Sequence, residues 1–191
     1  MLYLGFNSGF NAIAYNKILP NLEKIYAFEP IYDRARIPFV EDFIINDKLE
    51  IFPYAIGDKD SMVKFLINKQ VLGSSYCVDA SSRTDEIENN IWQEITVKAT
   101  TIDTFCEKNN VKPDFIKMDI EGAEMAALKG GMKTIKKYRP QLAISIYHSD
   151  SDFIKIPLYL SENLQNYIFK LGHYSTKQNE TVLYAIPKEK N

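Results

Sequence analysis

The sequence predicts an α/β fold: a mostly parallel sheet with helices on both faces, finished by an antiparallel hairpin. Three observations carry this expectation. Short apolar runs, of which Ile25-Tyr26-Ala27-Phe28 and Leu142-Ala143-Ile144-Ser145-Ile146-Tyr147 are the clearest, alternate with segments of helical character, and parallel strands need such crossovers between them. The last two runs, Ile168 to Ser175 and Thr181 to Ile186, instead flank the polar turn Thr176-Lys177-Gln178-Asn179-Glu180, the spacing of a hairpin. A glycine-containing turn, Gly5 to Gly9, separates the first strand from the first helix, where open α/β sheets hold their ligands.

In chain order, Met1 to Leu4 is a short strand, and Asn11 to Leu19 is a helix with Ile13, Ile18 and Leu19 available for a buried face. Ile25 to Phe28 is the second strand. It closes at Glu29-Pro30, because proline disfavours helical geometry in the residue before it. A helix interrupted or kinked at Pro38 runs to about Asn46, and Leu49 to Ile56 forms a third strand ending at the turn Gly57-Asp58. Met62 to Ile67 reads as an extra strand and Ile95 to Ala99 as another. Residues 68–94 are polar and without clear period, the profile of a lid or insertion in a compact domain. Thr101 or Asp103 suits the amino end of a helix reaching Asn110. Asp114 to Met118 is a strand, Met125 to Lys136 a helix, and Leu142 to Tyr147 the next strand, followed by His148 and an acidic turn. Ile156-Pro157-Leu158 opens the last helix, since proline is accepted in a first turn.

Composition narrows the class of function. A chain of 191 residues fits one domain, here taken as 1–191, with a core large enough to need no disulfide or metal staple. With 46% hydrophobic and 25% charged residues, neither a disordered nor a fibrous chain is indicated. A net charge of -2 supplies no electrostatic reason for a nucleic-acid partner. Cys77 and Cys106 are far apart, lack metal-ligand spacing and follow no secretory signal, so both are expected as free thiols in a reducing compartment. No apolar run is long enough for a membrane span, and the expected location is the cytoplasm.

Two clusters of residues could carry chemistry. In the first, Gly5-Phe6-Asn7-Ser8-Gly9 permits close approach of a ligand to the backbone, and Glu29, about twenty residues beyond, ends the second strand where nucleotide folds bind a ribose diol. The glycine spacing is not that of a dinucleotide fingerprint. In the second, Lys117-Met118-Asp119-Ile120-Glu121-Gly122-Ala123-Glu124 sets three carboxylates between a buried strand and a helix. Glu121 and Glu124 would lie at the helix start, where a carboxylate gains about 0.3–1 kcal/mol from the macrodipole. Asp119 follows the strand directly and faces the crevice. Oxygen ligation of Mg²⁺ or Ca²⁺ is a further reading, ranked lower because no second oxygen-ligand cluster is evident, and no metal is expected. His148 ends the neighbouring strand and suits a general base, with a structural histidine as the alternative. His173, in the hairpin, is read as structural.

Taken together, the chain resembles the FkbM family of S-adenosylmethionine-dependent methyltransferases. The resemblance rests on Ala27-Phe28-Glu29-Pro30, Ala55-Ile56-Gly57-Asp58, Thr101-Ile102-Asp103, Asp114 through Glu124, Ser145-Ile146-Tyr147-His148 and Glu180-Thr181-Val182-Leu183-Tyr184-Ala185, in that order over nearly the whole chain. It implies a Rossmann-like seven-stranded methyltransferase sheet and S-adenosyl-L-methionine as cofactor. Gly5, Asn7 and Gly9 would wrap the methionine part, Glu29 would take the ribose hydroxyls, and Ala55, Ile56 and Asp58 would lie near the adenine. The implied acceptor is a hydroxyl of a sugar, glycan or related metabolite, with Asp119 orienting cofactor or acceptor and His148 as base.

One departure stands out. The family pattern D-x-G-A-N-x-G here reads Tyr3-Leu4-Gly5-Phe6-Asn7-Ser8-Gly9, so Tyr3 replaces an acid and Phe6 a small residue. The chain also starts almost on its first strand, which reads as a shortened amino terminus. These features keep open a catalytically silent binding module with a degenerate cofactor site. A nicotinamide-dependent oxidoreductase is the third reading, opposed by the glycine spacing and the terminal hairpin.

Overall fold

The computed structural model describes residues 1–7, 9–19, 21–31, 46–68, 92–177 and 179–191, and the backbone alone of Tyr76–Cys77. The first part of the chain gives β1 (Leu2–Leu4), α1 (Phe10–Ile18), β2 (Ile25–Phe28), β3 (Leu49–Phe52), β4 (Ala55–Ile56), β5 (Ser61–Asn68), β6 (Tyr76–Cys77) and β7 (Trp92–Thr100). The second part gives α2 (Ile102–Lys108), β8 (Phe115–Met118), α3 (Glu124–Lys129), α4 (Met132–Tyr138), β9 (Gln141–Ser145), α5 (Asp150–Asn163), β10 (Tyr167–His173) and β11 (Thr181–Pro187). The helix expected around Pro38 lies outside the described residues. So does most of the 68–94 segment, although its ends, Asn68 and Trp92 to Glu94, are strand residues of β5 and β7.

Seven strands form the main sheet in the order β10-β11-β9-β8-β1-β2-β3. The five from β9 to β3 run parallel, and β11 lies antiparallel to both β9 and β10, as the terminal hairpin predicts. Central strands are apolar on both faces because helices cover both. Leu2, Leu4, Ile116, Met118, Leu142 and Ile144 are wholly buried in a core shared with Leu128, Ile135, Ile156 and Leu160 of α3, α4 and α5. Tyr3, Ile25, Ala27 and Leu49 form a second apolar layer with Phe6 and Ala12. Each large side chain so buried contributes about 1.5–3 kcal/mol.

Several local expectations are corrected. Leu49 to Ile56 is not one strand: β3 stops at Phe52, Pro53 has no amide to donate, and Ala55–Ile56 pairs instead with β7. β4 thereby joins a second sheet, ordered β4-β7-β5-β6. The expected helix from Met125 to Lys136 is broken at Gly130-Gly131, where a Cβ on Gly130 would lie 2.2 Å from the Gly57 carbonyl oxygen and one on Gly131 would lie 2.8 Å from Ile102 Cδ1. The following strand stops at Ser145, two residues short of Tyr147. The last helix starts at Asp150, capped by Ser149, whose hydroxyl accepts from the Asp152 amide at 3.2 Å, and Pro157 lies in its interior. On α1, Ile18 and Leu19 are exposed and Ala12 is the buried residue. Thr101, rather than Asp103, caps α2 by accepting from the Thr104 amide at 2.9 Å. Asp103 instead accepts from the Thr134 amide at 2.7 Å at the head of α4. Cys106 is a buried free thiol.

Candidate functional site

Parallel strands end at the same edge of a sheet, so the residues leaving β1, β2, β8 and β9 converge there. β1 runs into Gly5, β2 into Glu29, β8 into Asp119, and β9 reaches His148 three residues past its end. Gly5 has φ 81°, and a Cβ there would lie 1.8 Å from the Asp119 carbonyl oxygen. Glycine is therefore required for the turn to press against the chain leaving β8. The Asp119 amide donates to the Leu4 carbonyl at 3.1 Å, which fixes the same approach. The Asn7 amide, in left-handed backbone at φ 48°, donates to Glu29 Oε2 at 2.8 Å, and the Ile31 amide donates to Oε1 at 3.1 Å. Burial pushes the Glu29 carboxyl above its usual range despite these two amides. Gly9, at φ 75°, leads into α1. The expected grouping of Gly5, Asn7, Glu29 and Asp119 is thus met in space.

Asp119 is held by two side chains that sequence reading did not single out. Lys117 Nζ donates to Oδ2 at 3.1 Å, and the Tyr147 hydroxyl donates to Oδ1 at 3.1 Å. Burial raises the Asp119 pKa, but the Lys117 ammonium foremost, then His148 and the Ser145 hydroxyl, outweigh it, and the net direction is down. The carboxylate stays ionised. Lys117 was findable from strand alternation, since it lies two residues before Asp119 on the same side. No spacing signal marks Tyr147.

His148 has a side chain only 2% exposed, and carboxylates surround it. Nδ1 lies 3.1 Å from Glu124 Oε1, and Nε2 lies 3.5 Å from Asp119 Oδ1 and 3.8 Å from Glu121 Oε2. The contacts are close enough for ion pairing, yet neither ring nitrogen is aligned with a hydrogen-bond partner among the described residues. Desolvation lowers the His148 pKa, but Glu124, Glu121 and Asp119 together more than reverse this, and it is raised above the usual value. Glu124 is fully buried and accepts from the amides of Ile120 at 2.8 Å and Gly122 at 3.0 Å, pinning a turn in which Glu121 and Gly122 have φ 55° and 99°. Glu124 is the first residue of α3, so the helix-start reading holds for it. Glu121 lies three residues upstream in the turn, and that reading does not hold for it.

Beside this cluster opens a cleft of about 570 Å³, lined among others by Asp58, Glu121, Lys129, His148, Asp152 and Tyr159. Its volume is within the range of small-molecule sites. Ala55 and Ile56 are buried in β4, with Ile56 in the main core, and Asp58 alone of the three reaches the cleft. Tyr3 is buried edge-on against Phe6, with ring centres 5.6 Å apart, and against Tyr15 at 5.9 Å; Lys117 Nζ stands 4.8 Å over its ring. His173, in β10, has Nδ1 2.8 Å from the Thr181 hydroxyl oxygen. No helix among the described residues is long and apolar enough to cross a membrane.

Comparison with known proteins agrees with this fold. The chain is 26% identical over 148 residues to the 2-O-methyltransferase NoeI of Sinorhizobium fredii (strain NBRC 101917 / NGR234), an alignment covering 73% of this chain and 60% of that protein. It thus spans less than two thirds of that relative's length. The crystal structure of methyltransferase FkbM from Methylobacillus flagellatus KT superposes with a TM-score of 0.68 at 22% identity, over 97% of this chain and 42% of that one, and shares the fold. The methyltransferase FkbM domain family matches residues 5–171, and the chain belongs to that family.

Proposed function

We propose that the protein transfers a methyl group from S-adenosyl-L-methionine to a hydroxyl of a sugar, glycan or related small-molecule metabolite. The observation that carries this reading is the meeting of Gly5, Glu29 and Asp119 at one sheet edge, beside a cleft that opens on His148. The residues present suit the cofactor: an ionisable carboxylate, Glu29, already accepts two amides at the mouth of the glycine turn, as a ribose-binding acid would. Gly5, Asn7 and Gly9 would hold its methionine part; of Ala55, Ile56 and Asp58, expected near the adenine, Asp58 alone faces the cleft, with the other two packed behind it. When bound, the cofactor supplies an electrophilic methyl carbon on a sulfonium.

The chain's own part is positioning. Methyl transfer needs an in-line approach, and orientation alone is worth about 7–11 kcal/mol in well-aligned systems. Asp119, fixed by Lys117 and Tyr147, orients the acceptor hydroxyl, which gains the methyl group and gives up its proton to the Asp119–His148 pair. A base so placed adds roughly 10²–10⁴ in rate. The relative described as a 2-O-methyltransferase supports an oxygen acceptor. The test is transfer of labelled methyl from S-adenosylmethionine to a panel of mono- and oligosaccharides, with calorimetric titration of S-adenosylhomocysteine alongside. Transfer to a hydroxyl with loss in Asp119→Asn is expected; no transfer to any hydroxyl acceptor despite cofactor binding overturns it.

A silent binding module is the second reading, favoured by the Tyr3–Phe6 ring pair standing where the family pattern has an acid and a small residue. Absence of any heat or thermal shift with S-adenosylhomocysteine would select it. Family membership leaves the oxidoreductase reading without support.

A further inference from the structure

We propose that Asp119, Glu121 and His148 form a binding site for one divalent first-row metal ion at the head of the cleft, with Glu124 orienting the imidazole. Among the described residues, Asp119, Glu124 and His148 each offer a ligand atom, all within 4.8 Å of one another. A cluster of carboxylates alone would say little, since such groups are common without an ion. His148 is the independent observation: its side chain is only 2% exposed, and Nε2, the nitrogen facing Asp119 and Glu121, has no aligned hydrogen-bond partner among the described residues.

Distances assign the roles. Two donors each about 2.1 Å from one ion, at the tetrahedral angle, lie about 3.4 Å apart. Nε2 is 3.5 Å from Asp119 Oδ1 and 3.8 Å from Glu121 Oε2, so an ion held by Nε2 has a carboxylate oxygen of each within reach. Glu124 lies on the opposite side of the ring, 3.1 Å from Nδ1, and its oxygens are already engaged by the Ile120 and Gly122 amides. It serves as the outer carboxylate that fixes tautomer and ring orientation, the usual partner of a metal-bound histidine. One imidazole with carboxylates suits Mn²⁺ or Zn²⁺. On the proposed reading, an ion there would lie beside the cleft and polarise the acceptor hydroxyl, whose proton would then pass to water in the cleft because the imidazole is held by the ion.

The test reads metal binding directly, without cofactor or acceptor. Chelator-treated protein is titrated with Mn²⁺ near neutral pH, following the free ion by paramagnetic resonance and the two histidine side chains of the chain by nuclear magnetic resonance. One ion per chain is expected, with the His148 signals broadened and those of His173 unchanged. Glu121→Gln, on a partly exposed side chain, and His148→Gln should each weaken binding about tenfold or more. No saturable binding, as for a plain imidazolium among carboxylates, overturns the site, and so does unchanged affinity in Glu121→Gln. Methyl transfer that persists in chelator without Mn²⁺ binding sinks this site but not the proposed activity; Mn²⁺ binding without methyl transfer does the reverse.

Discussion

The two sides of Asp119 are built on different principles. Towards β1 and β2 the site is backbone: glycines and amides in left-handed conformations close on Glu29 and on the Asp119 carbonyl, and almost no side chain intervenes. Towards β9 and α3 it is side chain: Lys117, Tyr147 and His148 surround the Asp119 carboxylate, and Glu121 and Glu124 meet the His148 ring. A backbone cradle recognises a ligand whose shape does not vary, which suits a cofactor. A side-chain cleft can be re-cut residue by residue, which suits the acceptor of the proposed reaction.

That contrast can be broken by substitution. The largest effect is expected at Gly5→Ala, where the added methyl meets the Asp119 carbonyl oxygen in a strained backbone. A loss of about 3 kcal/mol or more should appear in urea unfolding, and near-wild-type stability would mean the two turns are not pressed together. Asp119→Asn should lower methyl transfer about 100-fold while stability, by the same unfolding measurement, changes far less. Equal losses in folding and turnover would erase the distinction between cradle and cleft.

A third effect separates the two sides by pH. The raised pKa of Glu29 means that it takes up a proton at higher pH than an ordinary carboxyl. Ribose hydroxyls need the ionised form as acceptor, so S-adenosylhomocysteine affinity should be full above that pKa and fall as pH drops through it. Calorimetry should find Glu29→Gln weaker by about tenfold, on the scale of one charge-assisted hydrogen bond, and flat across the same range. A pH response that survives in Glu29→Gln would move its origin elsewhere. The smallest effect is expected for Tyr147→Phe, which removes one hydrogen bond to Asp119. About 1 kcal/mol, a few-fold in kcat with cofactor affinity unchanged, is the expected size; a shift in cofactor affinity instead would put Tyr147 on the cradle side.

Legibility in the sequence divides along the same line. The alternation of strands and helices, the terminal hairpin and the strand-end positions of Gly5, Glu29 and Asp119 were legible, because they are properties of local sequence. The second sheet was not, since Ala55-Ile56 continues the apolar run of β3 and nothing but Pro53 marks the change of partner. The break at Gly130-Gly131 is set by contacts with Gly57 and Ile102, far away in sequence. Pro157 reads as a first-turn residue but lies in the interior of α5, whose start is marked by Ser149. Lys117 and Tyr147 matter through where they point, which only the folded chain determines.

The Tyr3–Phe6 contact ties the two departures from the family pattern together. An aspartate in place of Tyr3 alone would bury a carboxylate against the Phe6 ring, and shrinking Phe6 alone would leave a hole beside Tyr3. Either single substitution costs stability, and because the rings touch, the two costs should not add: a double-mutant cycle across them, read by urea unfolding, is expected to show coupling.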